Sequence, residues 1–448
     1  MNQRQPSKQK GPAPKWIAAV VANARGEIFD LAGYAAVGAD GALMAPLDVM
    51  HTQPLPHGSE LMFLPDRIPL LYDLRRKRIV PLADNPYVPG EPIYPVAAFN
   101  SPGYVITHTP AYDECPDARL LPLFSYGAVG WHRGRFRSSV WLVDDEPRQD
   151  LRRMPLEKIK VGVGRMRRTL PDNRLRAHLE KCALTYGCPA GKNFFLGRYE
   201  APLPTSPSCN AHCLGCISLQ EDSGLTSSQE RIGFIPTPEE IAAVALTHID
   251  RVERAVVSFG QGCEGDPLLV ADTIAAAIGL IRQQTDQGTI NLNTNGSRPE
   301  PLARLVKAGL DSVRISMNSV RPDCYHAYFR PTGYTFADVT AAIDAALAHG
   351  AHVAINYLNC PGFTDTPEER DALKAFLRVH PVHMIQWRNL NFDPLRYRHI
   401  MTAAAPQGSP IGIAPLITLV RRAFPRLLHG YFNPPKERFR RRDDAGSP

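Results

Sequence analysis

The sequence lacks a long hydrophobic run, which argues against a membrane-spanning helix. Hydrophobic residues make up 44% of the 448-residue chain and charged residues 21%, which is ordinary for a globular protein. No apolar stretch approaches the roughly 20 residues that cross a bilayer. The apolar run at residues 16–22 follows basic residues but leads into a turn at 23–27, which favours a first strand over a secretory signal. We expect a soluble, cytoplasmic protein whose residues 1–14 form a disordered tail.

Cysteine is scarce and unevenly placed. The chain has 9 cysteines, an odd number, and none follows Cys360. Scattered cysteines of this kind do not form the disulfide framework of a small secreted domain. The excess of basic residues is also small, since 51 Lys and Arg face 44 Asp and Glu. The net charge of +7 permits an anionic partner without requiring one.

Residues 15–150 contain short apolar runs separated by turn signals. Strands are predicted at residues 60–64, 69–72, 103–107 and 138–142. Many of the 42 prolines lie before residue 210, which favours an extended, turn-rich first half. We predict a mostly β N-terminal domain, and none of its motifs indicates a particular chemistry.

Residues 151–194 are predicted to form a basic helical linker. Between residues 148 and 181, eleven Lys or Arg stand against four Asp or Glu, and residues 173–186 have a helical pattern. One interpretation is a solvated basic helix at the junction of two domains. The other is a surface for RNA or another phosphate-bearing or acidic macromolecule, although no RNA-binding fingerprint is present.

From residue 195 to residue 400, short strands alternate with longer helices. This alternation predicts an α/β fold, a partial (β/α)6 TIM-like barrel whose chemistry lies at the carboxyl ends of its strands. Thr237 and Thr366, each followed by Pro-Glu-Glu, are predicted to cap two helices. Residues 401–448 are predicted to be a C-terminal extension, with a helix at 413–424 and a disordered basic tail at 436–443. The predicted strands cover 199–204, 255–259, 289–293, 313–317, 352–357 and 383–388, and the predicted helices cover 238–247, 271–284, 299–307, 336–349 and 366–379.

Three cysteines follow the first of these strands. Cys209, Cys213 and Cys216 have the spacing CxxxCxxC within eight residues. Three thiolates this close together can hold three corners of an iron–sulfur cube and leave the fourth iron without a protein ligand. A zinc site completed by His212 or a distant cysteine is the alternative, but the chain has no second cysteine pair at matching spacing.

This motif, on the loop after a first barrel strand, resembles the radical S-adenosylmethionine (radical SAM) superfamily over about residues 195–400. The resemblance implies that Cys209, Cys213 and Cys216 ligate a 4Fe–4S cluster whose open iron is chelated by S-adenosylmethionine (SAM). It also implies reductive cleavage of SAM to a 5′-deoxyadenosyl radical, which starts chemistry on a substrate. An electron donor such as flavodoxin or ferredoxin is the implied partner.

The ends of later strands carry segments similar to the SAM-binding segments of this family. One resembles the Gly-Gly-Glu-Pro turn and another the Thr-Asn-Gly turn. Two positions depart from the family pattern, because Asp266 replaces a glutamate and Gly215 replaces an aromatic residue that helps to shape the adenine pocket. The SAM neighbours that the resemblance implies are Gly265, Asp266, Asn295, Ser316, Asn318, Asn356 and Gln386.

The remaining cysteines allow two interpretations. Either Cys182 and Cys188 ligate an auxiliary cluster with Cys115 or Cys263, or they are buried small side chains, as free cysteines often are. The second interpretation is favoured, partly because the chain lacks the cysteine-rich C-terminal extension of many peptide-modifying relatives. Cys263 is a candidate catalytic residue, from its position at a strand end alone.

We therefore predict a radical SAM enzyme. Its substrate is open, and the long N-terminal domain and basic junction favour a protein, a peptide or RNA over a small metabolite. The alternative from a different class is a non-catalytic zinc- or cluster-binding interaction protein that binds RNA through residues 148–181.

Overall fold

The computed structural model describes residues 15–220 and 224–439. Of these, residues 15–100, 108–119 and 127–140 form a first compact unit, and residues 101–107, 120–126 and 141–439 form a second. The tail predicted at residues 1–14, and the part of the basic tail beyond residue 439, lie outside the described residues. Within the described ranges, no helix combines the length and the apolar character needed to cross a membrane.

The first unit consists mainly of antiparallel strands, which confirms the prediction of a mostly β N-terminal domain. Its largest sheet has 10 strands, and its apolar residues form several small clusters, such as the one around Ala19, Val21 and Leu31. The first fifteen strands of the described chain, of which β10 and β15 form a separate two-stranded sheet, are β1 (Ala18–Asn23), β2 (Ile28–Ala35), β3 (Val37–Asp40), β4 (Leu43–Pro46), β5 (Gln53–Pro54), β6 (Glu60–Phe63), β7 (Arg67–Asp73), β8 (Arg78–Pro81), β9 (Ile93–Phe99), β10 (Tyr104–Ile106), β11 (Thr109–Pro110), β12 (Tyr112–Glu114), β13 (Gly127–His132), β14 (Arg135–Ser138) and β15 (Val140–Leu142).

The single strand predicted at residues 138–142 is wrong, because the chain changes partners there. β14 ends at Ser138 and pairs with β13, whereas β15 starts at Val140 and pairs with β10. Ser139 lies between them, and its amide donates to the Ala128 carbonyl oxygen at 3.0 Å. An apolar pattern does not report such a change of partner.

Three helices, α1 (Leu156–Thr169), α2 (Arg174–Leu184) and α3 (Pro189–Leu196), precede the barrel. Their apolar faces belong to the same core as the barrel sheet. Some of their arginines form ion pairs with carboxylates, as Arg174 does with Glu240 at 2.7 Å. The apolar residues that these helices contribute to the core include Ile159, Val163, Met166, Leu175, Leu179, Phe194 and Phe195.

The barrel sheet has seven parallel strands in chain order. The six predicted strands are confirmed, and the sheet is the curled half-barrel that the sequence predicts. The seventh strand pairs with β21 and comes from the segment predicted only as an extension. The strands are β16 (Glu200–Pro202), β17 (Val256–Phe259), β18 (Thr289–Thr294), β19 (Ser312–Met317), β20 (His352–Asn359), β21 (Met384–Asn389) and β22 (Leu428–Gly430).

Most of the barrel helices begin where the sequence predicts. Thr237 forms a capping box, in which its side chain accepts from the Glu240 amide at 3.2 Å and the Glu240 carboxylate accepts from the Thr237 amide at 2.8 Å. Helices α7 and α10 escaped prediction because they are short or polar, and both lie near the site described below. The helices are α4 (Pro238–Arg251), α5 (Ala271–Arg282), α6 (Pro299–Ala308), α7 (Pro322–Phe329), α8 (Phe336–Ala348), α9 (Pro367–Val379), α10 (Pro394–Ala404) and α11 (Ile413–Ala423).

Candidate functional site

The loop that carries Cys209, Cys213 and Cys216 follows β16 and is fixed through its main chain. The His212 amide donates to the Phe329 carbonyl oxygen at 3.0 Å, and the Leu214 amide donates to that of Tyr328 at 3.1 Å. Both acceptors lie in the last turn of α7, where helical carbonyls have no partner within the helix. The three cysteine side chains take no part in this anchoring and are each partly exposed. They are therefore held in place and can still bind a metal.

A second anchor is the loop that follows β17. The Gly265 amide donates to the Ser206 carbonyl oxygen at 2.7 Å, and the Asp266 amide donates to the Ser208 carbonyl oxygen at 2.9 Å. A Cβ atom on Gly265 would lie 1.8 Å from that Ser208 oxygen. Glycine is needed here because the main chains of the two loops touch. The family resemblance implies that Gly265 is a SAM neighbour, and the contact with the cysteine loop gives a steric reason for a glycine at this position.

The three thiols are spread more widely than the donors of a single metal ion. Among the described residues, the sulfur atoms of Cys209, Cys213 and Cys216 do not form a group whose members all lie within 4.8 Å of one another, and His212 joins no such group. Each cysteine of a cubane cluster binds a different iron, so its thiolates stand further apart than the donors around one zinc ion. The donor set therefore fits a cluster with three cysteine ligands.

The protonation of these thiols is set by their surroundings. Burial raises the pKa of Cys209 to about 11, and burial together with the neighbouring Cys216 and Cys209 raises the pKa of Cys213. Thiolates are the metal-binding form of cysteine. Binding of iron at this loop therefore has to displace protons.

The glycine inside the motif has a steric cause. A Cβ atom on Gly215 would lie 2.8 Å from the Tyr328 hydroxyl and 2.9 Å from the Asn391 carbonyl oxygen. An aromatic side chain does not fit at this position. The ring of Tyr328, on α7, occupies the neighbouring space and is almost fully buried.

Asp266 and Asn295, two of the predicted SAM neighbours, are bonded to the protein itself. The Asp266 carboxylate accepts from the Thr294 hydroxyl at 2.9 Å and from the Asn295 amide at 2.7 Å. Burial raises the pKa of Asp266, and these hydrogen bonds oppose that shift. The Asn295 side chain donates to Asn210 at 2.8 Å, next to Cys209. These bonds join the turns after β17 and β18 to the cysteine loop, and a direct SAM contact by either residue stays a prediction.

Asn318 and Gln386 are also engaged. The Asn318 amide group donates to the Cys324 carbonyl oxygen and to the Tyr397 hydroxyl, each at 3.1 Å, and its side chain is fully buried. Gln386 donates to Asn433 at 2.9 Å. The donor groups of both side chains are therefore occupied, whereas the Asn318 side-chain oxygen has no partner in the described part of the chain. Contacts of these two residues with SAM stay predictions.

Ser316 and Asn356 differ from the other predicted SAM neighbours. They face each other in register on β19 and β20, and both are partly exposed within the sheet. The side-chain oxygen of Asn356 has no hydrogen-bond partner in the described part of the chain. Of the predicted set, these two residues are best placed to contact a ligand.

Two arginines on the same side of the sheet are not among the predicted SAM neighbours. Arg314 on β19 lies two residues before Ser316, and Arg388 on β21 lies two residues after Gln386, so all of them share one face. The Nε atoms of both arginines lack a partner among the described residues. Burial and the charge of Arg388 lower the pKa of Arg314 to about 9. Alternation along the strands was the signal that could have found them.

These arginines have few neutralising partners. Arg314 donates to the Gln386 side-chain oxygen at 3.2 Å, and the Arg388 guanidinium lies 3.9 Å from the centroid of the Tyr431 ring. Glu200 acts on Arg314 through its charge, but its carboxylate already binds Arg148 at 3.1 Å. Planar guanidinium groups with free N–H donors bind carboxylates and phosphates, so this face can hold an anion.

A cavity of about 520 Å³ lies beside Cys213 and Cys216. Its lining includes Arg231, Arg330 and Arg396, and the Arg231 side chain approaches the Cys216 sulfur at 3.9 Å. These three arginines give the mouth of the cavity a positive charge next to the thiols.

Cys263, the predicted catalytic residue, is buried beside Cys182 and His178. Cys115 belongs to the first unit and is not part of that group. The catalytic role of Cys263 stays a prediction, and two possible metal-binding side chains surround its thiol.

The model of the radical SAM superfamily matches residues 203–377 of this chain. The GTP 3′,8-cyclase of Heliobacterium modesticaldum is 29% identical over 181 residues, which cover 39% of this chain and 50% of that protein. The GTP 3′,8-cyclase of Photorhabdus laumondii subsp. laumondii is 29% identical over 197 residues, or 42% and 53% of the two chains. The chain thus spans about half the length of the curated relatives it matches.

Solved structures similar to this chain include HydG, a maturase of the FeFe-hydrogenase, with 16% identity and a TM-score of 0.38 over 64% of this chain and 69% of that one. Methylornithine synthase is 16% identical with a TM-score of 0.37, over 61% of this chain and 78% of that one.

Proposed function

We propose that the chain is a radical SAM enzyme whose 4Fe–4S cluster is held by Cys209, Cys213 and Cys216, since the model of the radical SAM superfamily matches residues 203–377. The observation that carries this proposal is the cysteine loop itself, which is fixed through its main chain to α7 while its thiols stay free to bind iron. Cluster and SAM together supply the one-electron cleavage that starts radical chemistry. The protein positions the loop and the ligands around it.

SAM is proposed to lie over the carboxyl ends of β19 and β20. Ser316 and Asn356 support this position, because they are paired in register and are partly exposed. Asp266 and Asn295 contribute indirectly, because they hold the neighbouring turns against the cysteine loop. Gly265, Asn318 and Gln386 remain weaker candidates for direct contact.

The substrate is proposed to carry a phosphate or carboxylate group that binds Arg314 and Arg388. Unsatisfied Nε atoms on both arginines support this, because a buried donor without a partner costs free energy that an anion would recover. A nucleoside triphosphate is the first compound to test, since the curated relatives are named GTP 3′,8-cyclases. The preference for a protein, a peptide or RNA stays a prediction that the same assay tests.

The class of enzyme is tested by anaerobic reconstitution with iron and sulfide. We expect the wild type to form a 4Fe–4S cluster with its charge-transfer absorption and to release 5′-deoxyadenosine from SAM after reduction. Cys213→Ala should abolish both, because it removes a proposed ligand of one iron. Cys115→Ala, in the first unit, is the matched control and should keep both. A wild type that binds zinc at this loop and no iron would instead support the non-catalytic interaction protein.

The substrate class is tested by binding to the cluster-loaded enzyme. Isothermal titration with GTP, a short RNA and a basic peptide should give binding only for ligands with an anionic group. Arg314→Gln and Arg388→Gln should each weaken that binding by roughly tenfold or more, the loss expected of a charge-assisted hydrogen bond. Arg304→Gln, on the exposed face of α6, is the control. Equal binding by Arg314→Gln and the wild type would contradict the proposal.

A further inference from the structure

A second group of metal-binding side chains lies outside the cysteine loop. Within the described residues, the donor atoms of His178, Cys182 and Cys263 all lie within 4.8 Å of one another. His178 and Cys182 come from α2, and Cys263 comes from the loop after β17. The sequence pattern favours buried small cysteine side chains here and assigns no role to His178.

The geometry of this group suits one metal ion. His178 and Cys182 are four residues apart on α2, so their side chains share one helix face, and the His178 Nε2 atom lies 3.4 Å from the Cys182 sulfur. A tetrahedral zinc ion with bonds of about 2.3 Å to sulfur and about 2.0 Å to nitrogen places two such donors about 3.5 Å apart. Little movement of the side chains would therefore be needed.

A fourth donor is close by. The Cys188 amide donates to the Cys182 carbonyl oxygen at 3.0 Å, so the chain after α2 turns back towards the group. The thiol of Cys188 does not belong to the group of three, but it is near enough for its charge to act on Cys263 and for the charge of Cys182 to act on it. One imidazole and three thiolates form a common zinc ligand set.

We propose that His178, Cys182 and Cys263 bind a single thiophilic divalent cation, namely zinc, with Cys188 as the fourth ligand. The close spacing favours one ion over a cube, because the donors of a cubane cluster sit on different irons and stand further apart. Cys182 and Cys263 are buried, whereas His178 is partly exposed, so the ion can enter from the histidine side.

The ion would join α2 to the loop that carries Gly265. Gly265 and Asp266 contact the cysteine loop through their main chains, so a bound zinc ion would stabilise the position of the cysteine loop through these two residues. This consequence rests on the proposed function, but binding of zinc does not. Binding is therefore tested in a variant that lacks the cluster.

The test uses the full-length chain, purified without oxygen or chelator from zinc-containing medium, with zinc, iron and sulfide measured separately. We expect about one zinc per chain in the wild type and in Cys213→Ala, since a closed four-ligand site binds zinc tightly. The Cys182→Ala/Cys263→Ala double variant should contain almost none. Cys324→Ala, which removes another buried thiol, is the control and should keep the zinc.

Two further variants guard against misfolding and define the ligands. His178→Ala changes a partly exposed residue, and it should lose zinc while its circular dichroism stays that of the wild type. In Cys213→Ala loaded with cobalt, the thiolate-to-cobalt absorption should fall by about one third in Cys188→Ala, as expected when one of three thiolates is lost.

Three results would overturn the proposal. The first is zinc that persists in the double variant, and the second is iron with sulfide in Cys213→Ala that disappears with Cys182→Ala, which would indicate an auxiliary cluster. The third is a Cys182–Cys263 disulfide in anaerobically purified wild type that contains no zinc. An unchanged cobalt spectrum in Cys188→Ala would overturn the fourth ligand.

Discussion

The second unit contains two groups of cysteines that differ in spacing, in burial and in what holds them. The thiols of Cys209, Cys213 and Cys216 are all partly exposed and are carried by one loop whose main chain is bonded on both sides. Cys182 and Cys263 are buried, and two separate segments bring them together with His178. The first group offers three donors and is open on one side, and the second is closed only with Cys188 as its proposed fourth ligand.

This difference indicates two kinds of metal chemistry. An open set of three donors leaves a coordination position for a ligand, which is what a catalytic centre needs. A closed set satisfies the ion completely and serves structure. Glu264, Gly265 and Asp266 connect the two groups, since they directly follow Cys263 and contact the cysteine loop. Variants in this segment and in the cysteine loop should therefore affect the catalytic site and the structural site differently.

The largest expected effect comes from Gly265→Ala. A Cβ atom there would overlap the Ser208 carbonyl oxygen at 1.8 Å, and that atom is main chain and cannot rotate away. We expect a loss of about 3 kcal/mol in the free energy of unfolding, at the upper end of the range for overpacking, together with loss of iron after reconstitution. Zinc should remain, because Cys263 is held separately by the Ile232 amide, which donates to its carbonyl oxygen at 2.8 Å.

The control for this variant is Gly279→Ala on α5, where a Cβ atom would meet nothing within 4 Å. It should stabilise the protein by roughly 0.5–1 kcal/mol, the usual gain for alanine over glycine inside a helix. Denaturant unfolding and metal analysis measure both variants. If Gly265→Ala kept its iron, the main-chain contact would not be what positions the cysteine loop.

A second prediction concerns the stability of the fold and neither of the two cysteine groups. Burial lowers the pKa of His248 on α4 from 6.5 to about 4, and the ring is fully buried. A lowered pKa in the folded state means that stability is present above pH 6.5 and is lost as the pH falls towards 4. The loss should reach about 3 kcal/mol, from 1.36 kcal/mol for each unit of pKa.

His248→Gln should remove much of this acid sensitivity. Its amide group can still donate to the Tyr199 carbonyl oxygen, which His248 approaches at 3.3 Å. The measurement is the urea midpoint between pH 7.5 and pH 4.5, with His399→Gln as the exposed control. Metal release at low pH is common to all variants, so the difference between them isolates the histidine. Parallel curves for His248→Gln and the wild type would refute the assignment.

The regular part of the barrel could be predicted from sequence, and the site only in part. Six strands and the caps at Thr237 and Thr366 follow from periodic patterns and local hydrogen bonding. The position of the cysteine loop followed from its place after a strand. Its anchoring to α7 could not be foreseen, because Tyr328 is more than a hundred residues away in sequence and acts through its carbonyl group.

Long-range contacts also explain what the sequence missed in the second group. His178 and Cys182 are readable as one helix face, but Cys263 joins them only after the sheet has formed. The juxtaposition of the two arginines of the barrel interior was hidden for a similar reason. Arg314 and Arg388 lie on different strands, and only the register of β19, β20 and β21 brings them onto the same face.

A smaller effect is expected from Gly215→Ala, which probes the open group directly. Its Cβ atom would lie 2.8 Å from the Tyr328 hydroxyl, so we expect a cost of about 1–2 kcal/mol from overpacking, with weaker cluster retention and unchanged zinc. Adding Tyr328→Phe removes the contacting hydroxyl and should restore part of that free energy, although the Asn391 carbonyl oxygen remains close. A double-mutant cycle from urea unfolding measures the coupling. Simple additivity would show that Tyr328 is not the reason for this glycine.

The smallest expected effect concerns the mouth of the cavity beside the open group of cysteines. Arg330 lines the cavity beside Cys213 and Cys216 and is exposed to solvent. If an acidic flavodoxin delivers electrons there, Arg330→Gln should slow cluster reduction by a few-fold at low salt, because rim charges act mainly on the rate of association. The difference should vanish at high salt, where the charges are screened. Stopped-flow absorption follows the reduction, with Arg304→Gln on α6 as the control.

Reduction by methyl viologen, a cation that needs no basic surface, should be equally fast in all three proteins. An equal loss with both reductants would mean that Arg330 affects the cluster itself, and the basic mouth would then belong to the open metal site and not to its electron donor.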